Sequence, residues 1–198
     1  MEFCGLRILV DSGVFVPRQR TFPVQRAVAW AAPDSMVLDL CCGAGAIGAA
    51  IAARLPGIDP YAADIDPAEV ASARRNIRPD RVFEGDLFDP LPASLKGRVD
   101  ILVANTPCVL RDALALMPPE ARLHETRVAL NGGADGLDVQ RRLAEGAPRW
   151  LACGGYLFVE SSEEQAELTA AVFEANGLVA SIAHSEQLCS TVVTGALP

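Results

Sequence analysis

The stretch Met36–Ala53, MVLDLCCGAGAIGAAIAA, decides the fold. Met36-Val37-Leu38-Asp39-Leu40 is a short apolar run that fits a buried parallel strand. It is expected to end on a carboxylate, Asp39, and runs into Cys41-Cys42-Gly43-Ala44-Gly45. From Ala44 onward, small and apolar residues (Ala46, Ile47, Ala49, Ala50, Ile51) continue at helical spacing. Glycines fit such a strand-to-helix turn because they accept positive φ and let a ligand reach bare backbone. The turn is therefore expected to offer unpaired amide N–H groups at a helix start, suited to an anion or carboxylate. Asp39 stands where a carboxylate could take hydrogen bonds from a cationic or hydroxylated ligand. The pattern is that of a nucleotide pocket.

Which nucleotide is a separate question. Gly43-Ala44-Gly45-Ala46-Ile47-Gly48 matches the G-x-G-x-x-G dinucleotide fingerprint, and Asp64 lies roughly twenty residues on, as that fingerprint asks. Alone, the match supports NAD about as well as S-adenosylmethionine. An acid ahead of the glycines, Asp39, would repel a pyrophosphate but favour an ammonium group. A second feature, the loop Asn105-Thr106-Pro107-Cys108, tilts the reading the same way. A glycine turn that served only close strand–helix packing would leave Asp39 and Asp64 unexplained.

The 198 residues can bury one substantial core without staples. Apolar runs alternating with Ala-rich helical segments, at 51% hydrophobic residues, argue for one α/β domain. No apolar run has the length of a membrane helix, and the start, Met1-Glu2-Phe3-Cys4-Gly5, lacks the features of a secretory signal. Six cysteines without a C-x-x-C pair, and two histidines, argue against a structural zinc site or a disulfide framework. Reduced thiols in a cytoplasmic protein is the economical reading. A net charge of −8 disfavours non-specific nucleic-acid binding.

Residues 3–16 read as two short strands, Leu6–Val10 and Val14–Val16, around Asp11-Ser12-Gly13, and residues 1–20 form an N-terminal hairpin and lid segment. Residues 21–198 form the domain proper. Thr21 is expected to cap a helix with Pro23 in its first turn, and Arg18 and Arg20 are either solvated or closing the pocket. Ile58–Ala63 is the second strand of the sheet; Asp66-Pro67 starts a helix, leaving Asp64 free at the strand's carboxyl end, with Ile65 beside it. Val82–Glu84 and Val99–Ala104 are further strands; Gly85-Asp86-Leu87 follows the first and Asn105 the second. Residues 109–137 read as an excursion over the pocket, carrying His124 and Glu125. Tyr156–Glu160 is a fifth strand, Ser162 with Gln165 makes a capping box, Asn176-Gly177 stops that helix, and residues 179–183 and 189–193 close an antiparallel pair. The whole is a doubly wound, mostly parallel sheet of seven strands, Rossmann-like, with an antiparallel edge and an N-terminal β-hairpin.

In this order the motifs resemble class I S-adenosylmethionine-dependent methyltransferases, and more narrowly the HemK/PrmC group, the N5-glutamine methyltransferases of release factors. The resembling stretches are Gly13-Val14-Phe15-Val16-Pro17-Arg18, Leu38-Asp39-Leu40-Cys41-Cys42-Gly43-Ala44-Gly45-Ala46-Ile47, Asp64-Ile65-Asp66-Pro67, Gly85-Asp86-Leu87-Phe88 and Ala129–Asp138. The resemblance implies that Asp39, Cys41, Gly43 and Gly45 hold the methionine end of S-adenosyl-L-methionine. It further implies that Asp64 with Ile65 takes the ribose hydroxyls, that Asp86 with Leu87 borders the adenine, and that S-adenosyl-L-homocysteine is the product. Two departures stand out. The chain begins at the hairpin, without the family's N-terminal helical domain, and the family's Asn-Pro-Pro-Tyr is here Asn105-Thr106-Pro107-Cys108.

An amide or guanidinium nitrogen has a delocalised lone pair and attacks a methyl sulfonium poorly. Hydrogen-bond acceptors for both of its N–H groups turn the lone pair toward the methyl. The Asn105 side-chain oxygen and the Thr106 carbonyl are the implied acceptors, Pro107 stiffens the turn, and the gain is largely orientation. Cys108 has no histidine placed to activate it as a nucleophile; it enlarges the pocket instead. The reading is an N-methyltransferase acting on a planar amide or guanidino nitrogen of a small molecule or peptide, with no metal. Its rivals are glutamine methylation of a protein, a module that binds the cofactor without catalysis, and an NAD oxidoreductase.

Overall fold

The computed structural model describes residues 1–16, 22–108 and 132–198. A two-stranded hairpin, β1 (Glu2–Phe3) and β2 (Leu6–Arg7), precedes a seven-stranded sheet. The sheet contains β3 (Val37–Leu40), β4 (Tyr61–Asp64), β5 (Val82–Glu84), β6 (Val99–Ala104), β7 (Leu151–Ser161), β8 (Val179–Ser185) and β9 (Ser190–Ala196), in the spatial order β5-β4-β3-β6-β7-β9-β8. The strands from β5 to β7 are parallel, and β9 pairs antiparallel with both β7 and β8. The helices are α1 (Phe22–Trp30), α2 (Ala46–Arg54), α3 (Pro67–Ala73), α4 (Asp138–Gly146) and α5 (Glu163–Ala175). The expected doubly wound sheet with an antiparallel edge is present.

Both faces of the sheet are covered, which is why its strands read as continuous apolar runs. Alternation sorts their side chains between two clusters. Leu38, Leu40, Leu102, Ala104, Leu157 and Val159 join Leu143, Trp150 and Phe173 on one face. Val37, Ile101, Val103 and Phe158 join Val24, Ala27, Ala50 and Ile51 on the other. Each fully buried large side chain contributes roughly 1.5–3 kcal/mol, so the central strands are fixed in register. The order reverses between β3 and β6, and open α/β sheets bind ligands outside the carboxyl ends of strands at such a point.

The hairpin differs from expectation in place. It turns at Cys4-Gly5, both at positive φ (52° and 80°), the two-residue turn whose twist suits a hairpin. Residues 8–16 form no strand. They lie along α3, and side chains satisfy their backbone: Leu9 N–H donates to Asn76 Oδ1 at 2.9 Å, and the Leu9 carbonyl accepts from Asn76 Nδ2 at 2.7 Å and Ser72 Oγ at 3.2 Å. Phe15 N–H donates to Glu69 Oε1 at 2.7 Å. Strand β7 begins five residues earlier than expected, because an irregularity opposite Val99–Ile101 lets pairing continue past Gly154-Gly155. Thr21, Arg18, Arg20, His124 and Glu125 lie outside the described residues.

Candidate functional site

The central turn is built from two carboxylates and three glycines. Cys41, at φ 52°, bends the chain off β3 in a conformation that non-glycine residues seldom adopt. Gly43 (φ 55°) and Gly45 (φ 75°) follow in the same left-handed region. Gly43 N–H donates to Asp64 Oδ2 at 2.9 Å, and Gly48 N–H, in the first turn of α2, donates to Asp39 Oδ2 at 2.8 Å. Gly45 N–H donates to the Cys42 carbonyl at 2.8 Å. Two of the turn's amides are taken by its own acids, Gly43 by Asp64 and Gly48 by Asp39, an internal cap that sets the helix start. Gly48 is needed for closeness, since a Cβ there would stand 3.2 Å from Asp39 Oδ2 and 3.1 Å from Ile77 Cδ1.

Asp39 lies within β3 rather than at its tip, paired with Ala62 and Val103, and is 1% exposed. Its Oδ1 is buried and has no hydrogen-bond partner among the described residues. Burial pushes its carboxyl from 3.8 up to about 8; the Gly48 N–H opposes this and the Asp64 charge adds to it. Asp64, at the tip of β4, is also pushed up by burial, against the N–H groups of Asp66 and Gly43. Its Oδ1 accepts from Asp66 N–H at 3.0 Å, and Asp66 in turn caps α3 through Ala68 N–H at 2.9 Å, with Pro67 at the first helical position. A carboxylate has about four acceptor directions, so Asp64 retains capacity for a ligand's hydroxyls. Ile65, next along, is exposed.

The thiols of Cys41 and Cys42 are both pushed up by burial and by the neighbouring carboxylates, which keeps them protonated. All six cysteines are free.

Asp86 reaches the same sheet edge but is held sideways. It accepts from Arg142 Nη2 of α4 at 2.7 Å, at the mouth of a groove of about 370 Å³ bordered by Leu87, Phe88 and Trp150. Leu87 is buried at φ 47°, a second non-glycine residue in the left-handed region at this edge.

Asn105 follows β6 directly and is half-buried; Thr106 is 3% exposed, Pro107 is half-buried and Cys108 is exposed. The Thr106 hydroxyl is buried with no hydrogen-bond partner among the described residues. This loop is seated on the turn at 132–136. A Cβ on Gly132 would stand 2.8 Å from the Pro107 carbonyl oxygen, and one on Gly136 would stand 2.6 Å from that of Cys108. The structure thus gathers Asp39, Cys41, Gly43, Gly45, Asp64, Ile65, Asp86, Leu87 and Asn105–Pro107 at the carboxyl edge, though Asp39 is beneath the surface and Asp86 is engaged. Sequence reasoning missed Glu69, Asn76 and Gln165. Asn76 and Glu69 carry no spacing signal because their partners are more than fifty residues away.

The buried unpaired oxygen of Asp39 and the spare acceptor directions of Asp64 fit a cationic, hydroxylated ligand such as S-adenosylmethionine; the charge would be met at one acid and the hydroxyls at the other.

A family model described as the methyltransferase small domain matches residues 21–132. The release factor glutamine methyltransferase of Geobacter sulfurreducens is 38% identical over 181 residues, 89% of this chain and 63% of its own length. The ribosomal protein uL3 glutamine methyltransferase of Burkholderia pseudomallei is 36% identical, over 84% of this chain and 59% of its own. This chain therefore spans about three fifths of the length of those curated relatives. Among solved structures, a methyltransferase from Pyrococcus furiosus shares the fold at TM-score 0.66 and 17% identity, covering 97% of this chain and 89% of that one. The release factor-specific protein-(glutamine-N5) methyltransferase of Alicyclobacillus acidocaldarius does so at TM-score 0.55 and 23% identity, covering 92% and 94%. The family model covers more than half of the sequence, and this chain belongs to the methyltransferase small domain family.

Proposed function

We propose that this chain is the catalytic unit of an S-adenosylmethionine-dependent methyltransferase that acts on the side-chain amide nitrogen of a glutamine carried in a polypeptide. The observation that carries the reading is Asn105, half-buried at the end of β6, the strand next to the glycine-turn strand. Both curated relatives described above are named for glutamine in a protein, although in different proteins. That common feature moves the preference from a free small molecule to peptide-borne glutamine. The exposed Cys108, which leaves one side of the loop open, supports a small amide or guanidino compound as the second reading. The dinucleotide reading is set aside with the family.

S-adenosylmethionine would supply an electrophilic methyl on a sulfonium. Asp39, Cys41 and the Gly43–Gly45 turn would hold its methionine end, Asp64 and Ile65 its ribose, and Leu87 with Asp86 its adenine edge. The Asn105 side-chain oxygen accepts one N–H of the acceptor amide and the Thr106 carbonyl accepts the other, so the nitrogen lone pair faces the donor. Pro107 limits the loop's freedom and preserves that alignment. The nitrogen's proton leaves after transfer, so the site needs no strong base.

The test is incubation of the chain with S-adenosylmethionine and glutamine-bearing proteins, release factor and ribosomal protein uL3 among them, followed by peptide mass spectrometry. A single methyl on one glutamine is expected. Replacement Asn105→Ala should cut kcat by about 10²–10³-fold while S-adenosylhomocysteine binds as before. Turnover unaffected by that replacement would refute the assigned role.

A further inference from the structure

The amide of Gln165 joins two segments that meet only in space. Gln165 stands in the first turn of α5, where its N–H donates to the capping Ser162 Oγ at 3.2 Å. Its side chain does not return to the Ser162 backbone as a capping box would. Instead Nε2 donates to the Asp135 carbonyl at 3.0 Å and approaches the Cys108 carbonyl at 3.5 Å, while Oε1 accepts from Ser162 Oγ at 3.3 Å. A primary amide has two N–H donors in a fixed plane, matched here to two carbonyls. The fit is close: a Cβ on Gly136 would lie 2.2 Å from Gln165 Nε2. The helix that carries Gln165 is itself fixed, through the fully buried Phe173 and through Thr169, whose hydroxyl donates to the buried Gln140 at 2.7 Å.

We propose that Gln165 is the positioning residue for the acceptor loop. It ties the carbonyls of Cys108 and Asp135 to α5 and so fixes the direction of the Asn105 side chain and the Thr106 carbonyl. The catalytic part of this proposal rests on the amide-methylating reading above; the clamp itself does not. Gln165 touches neither substrate nor cofactor in this role. It acts by holding the loop, and misplacement of reacting groups by about 1 Å can cost about 10²-fold in rate.

Three variants test it: Gln165→Leu, Gln165→Glu and, as a control on the same helix, Phe173→Leu. Hydrogen exchange of the full chain, followed at Leu137 and Asp138, whose N–H groups bond within the glycine turn, needs no substrate. Gln165→Leu should speed exchange there and across 105–108 by about tenfold or more, and Phe173→Leu should not do so selectively. On a glutamine substrate, Gln165→Leu should lower kcat by about 10–100-fold with KM for cofactor unchanged. Gln165→Glu places a carboxylate against two carbonyl oxygens above its pKa and a single O–H donor below it. Its activity relative to the parent should therefore rise several-fold from pH 8 to about pH 4.5, where a glutamate of ordinary pKa is substantially protonated. Unchanged exchange in Gln165→Leu, or a pH-independent ratio for Gln165→Glu, would overturn the proposal. If the parent methylates no glutamine at all, the proposed function fails, and the exchange result still decides the clamp.

Discussion

Replacing Asp39 with asparagine should make the protein more stable, and increasingly so as the pH rises. The Asp39 carboxyl is fully buried, accepts one backbone N–H, and leaves its other oxygen unpaired among the described residues. Burial raises it from 3.8 to about 8. Between those values the native fold keeps a proton that the unfolded chain has released. The unfolded state then binds fewer protons, so stability falls as pH rises, by about 1.4 kcal/mol for each pH unit crossed. The contribution is fullest below pH 3.8 and is lost progressively up to about pH 8, the reverse of a paired surface carboxylate. From pH 5 to pH 7 the loss is about 2.7 kcal/mol. At roughly 2–4 °C per kcal/mol for a chain of this size, that is about 5–10 °C in Tm.

Asparagine keeps the shape and an acceptor for Gly48 N–H but has no proton to lose. The difference in stability between Asp39→Asn and the parent, from urea unfolding at pH 5, 6, 7 and 8, isolates this one group because other titrations are shared. It should grow with pH at close to the stated slope. Two parallel pH–stability curves would refute the reasoning, because they would mean that Asp39 is ionised at neutral pH in the folded protein.

Other expectations are more local. Asn76→Ala removes the side-chain bonds to the Leu9 N–H, the Leu9 carbonyl and, at 2.9 Å, the Ala44 carbonyl. It should cost about 1–3 kcal/mol in chemical unfolding, with faster cleavage of residues 8–16 by protease. Gly132→Ala places a Cβ 2.7–2.8 Å from backbone atoms of Gly136 and Pro107, none of which is a flexible tip. It should displace the acceptor loop and lower kcat by about 10²-fold for a loss of stability of about 1–3 kcal/mol. Phe173→Ala empties a fully buried site beneath α5 and should destabilise by about 3–5 kcal/mol, read from the urea midpoint.

The sheet and its carboxyl edge are legible in the order of residues. The runs at β3 and β6 are short, mostly apolar and followed by the glycine turn or Asn105, so strand placement follows from burial on both faces and a local stop signal. The Asp66-Pro67 start of α3 and the Asn176-Gly177 stop of α5 were legible for the same reason: cap chemistry is decided within a few residues. Contacts between residues far apart in the chain are not legible in that order. Residues 8–16 carry two strand-like apolar runs, yet the backbone of Phe15 and Leu9 bonds to Glu69 of α3 and to Asn76 just beyond it, more than fifty residues on. The carboxylates of Asp39 and Asp64 read as ligand groups from their position on the strands; that both also hold amides of the glycine turn depends on how closely α2 and β4 approach. Gln165 read as half of a capping box, a local motif, and became a clamp because the loops at 108 and 135 meet in front of it. Local chemistry is written in neighbouring residues, whereas the direction of a polar side chain depends on whichever distant backbone group packing leaves unsatisfied beside it.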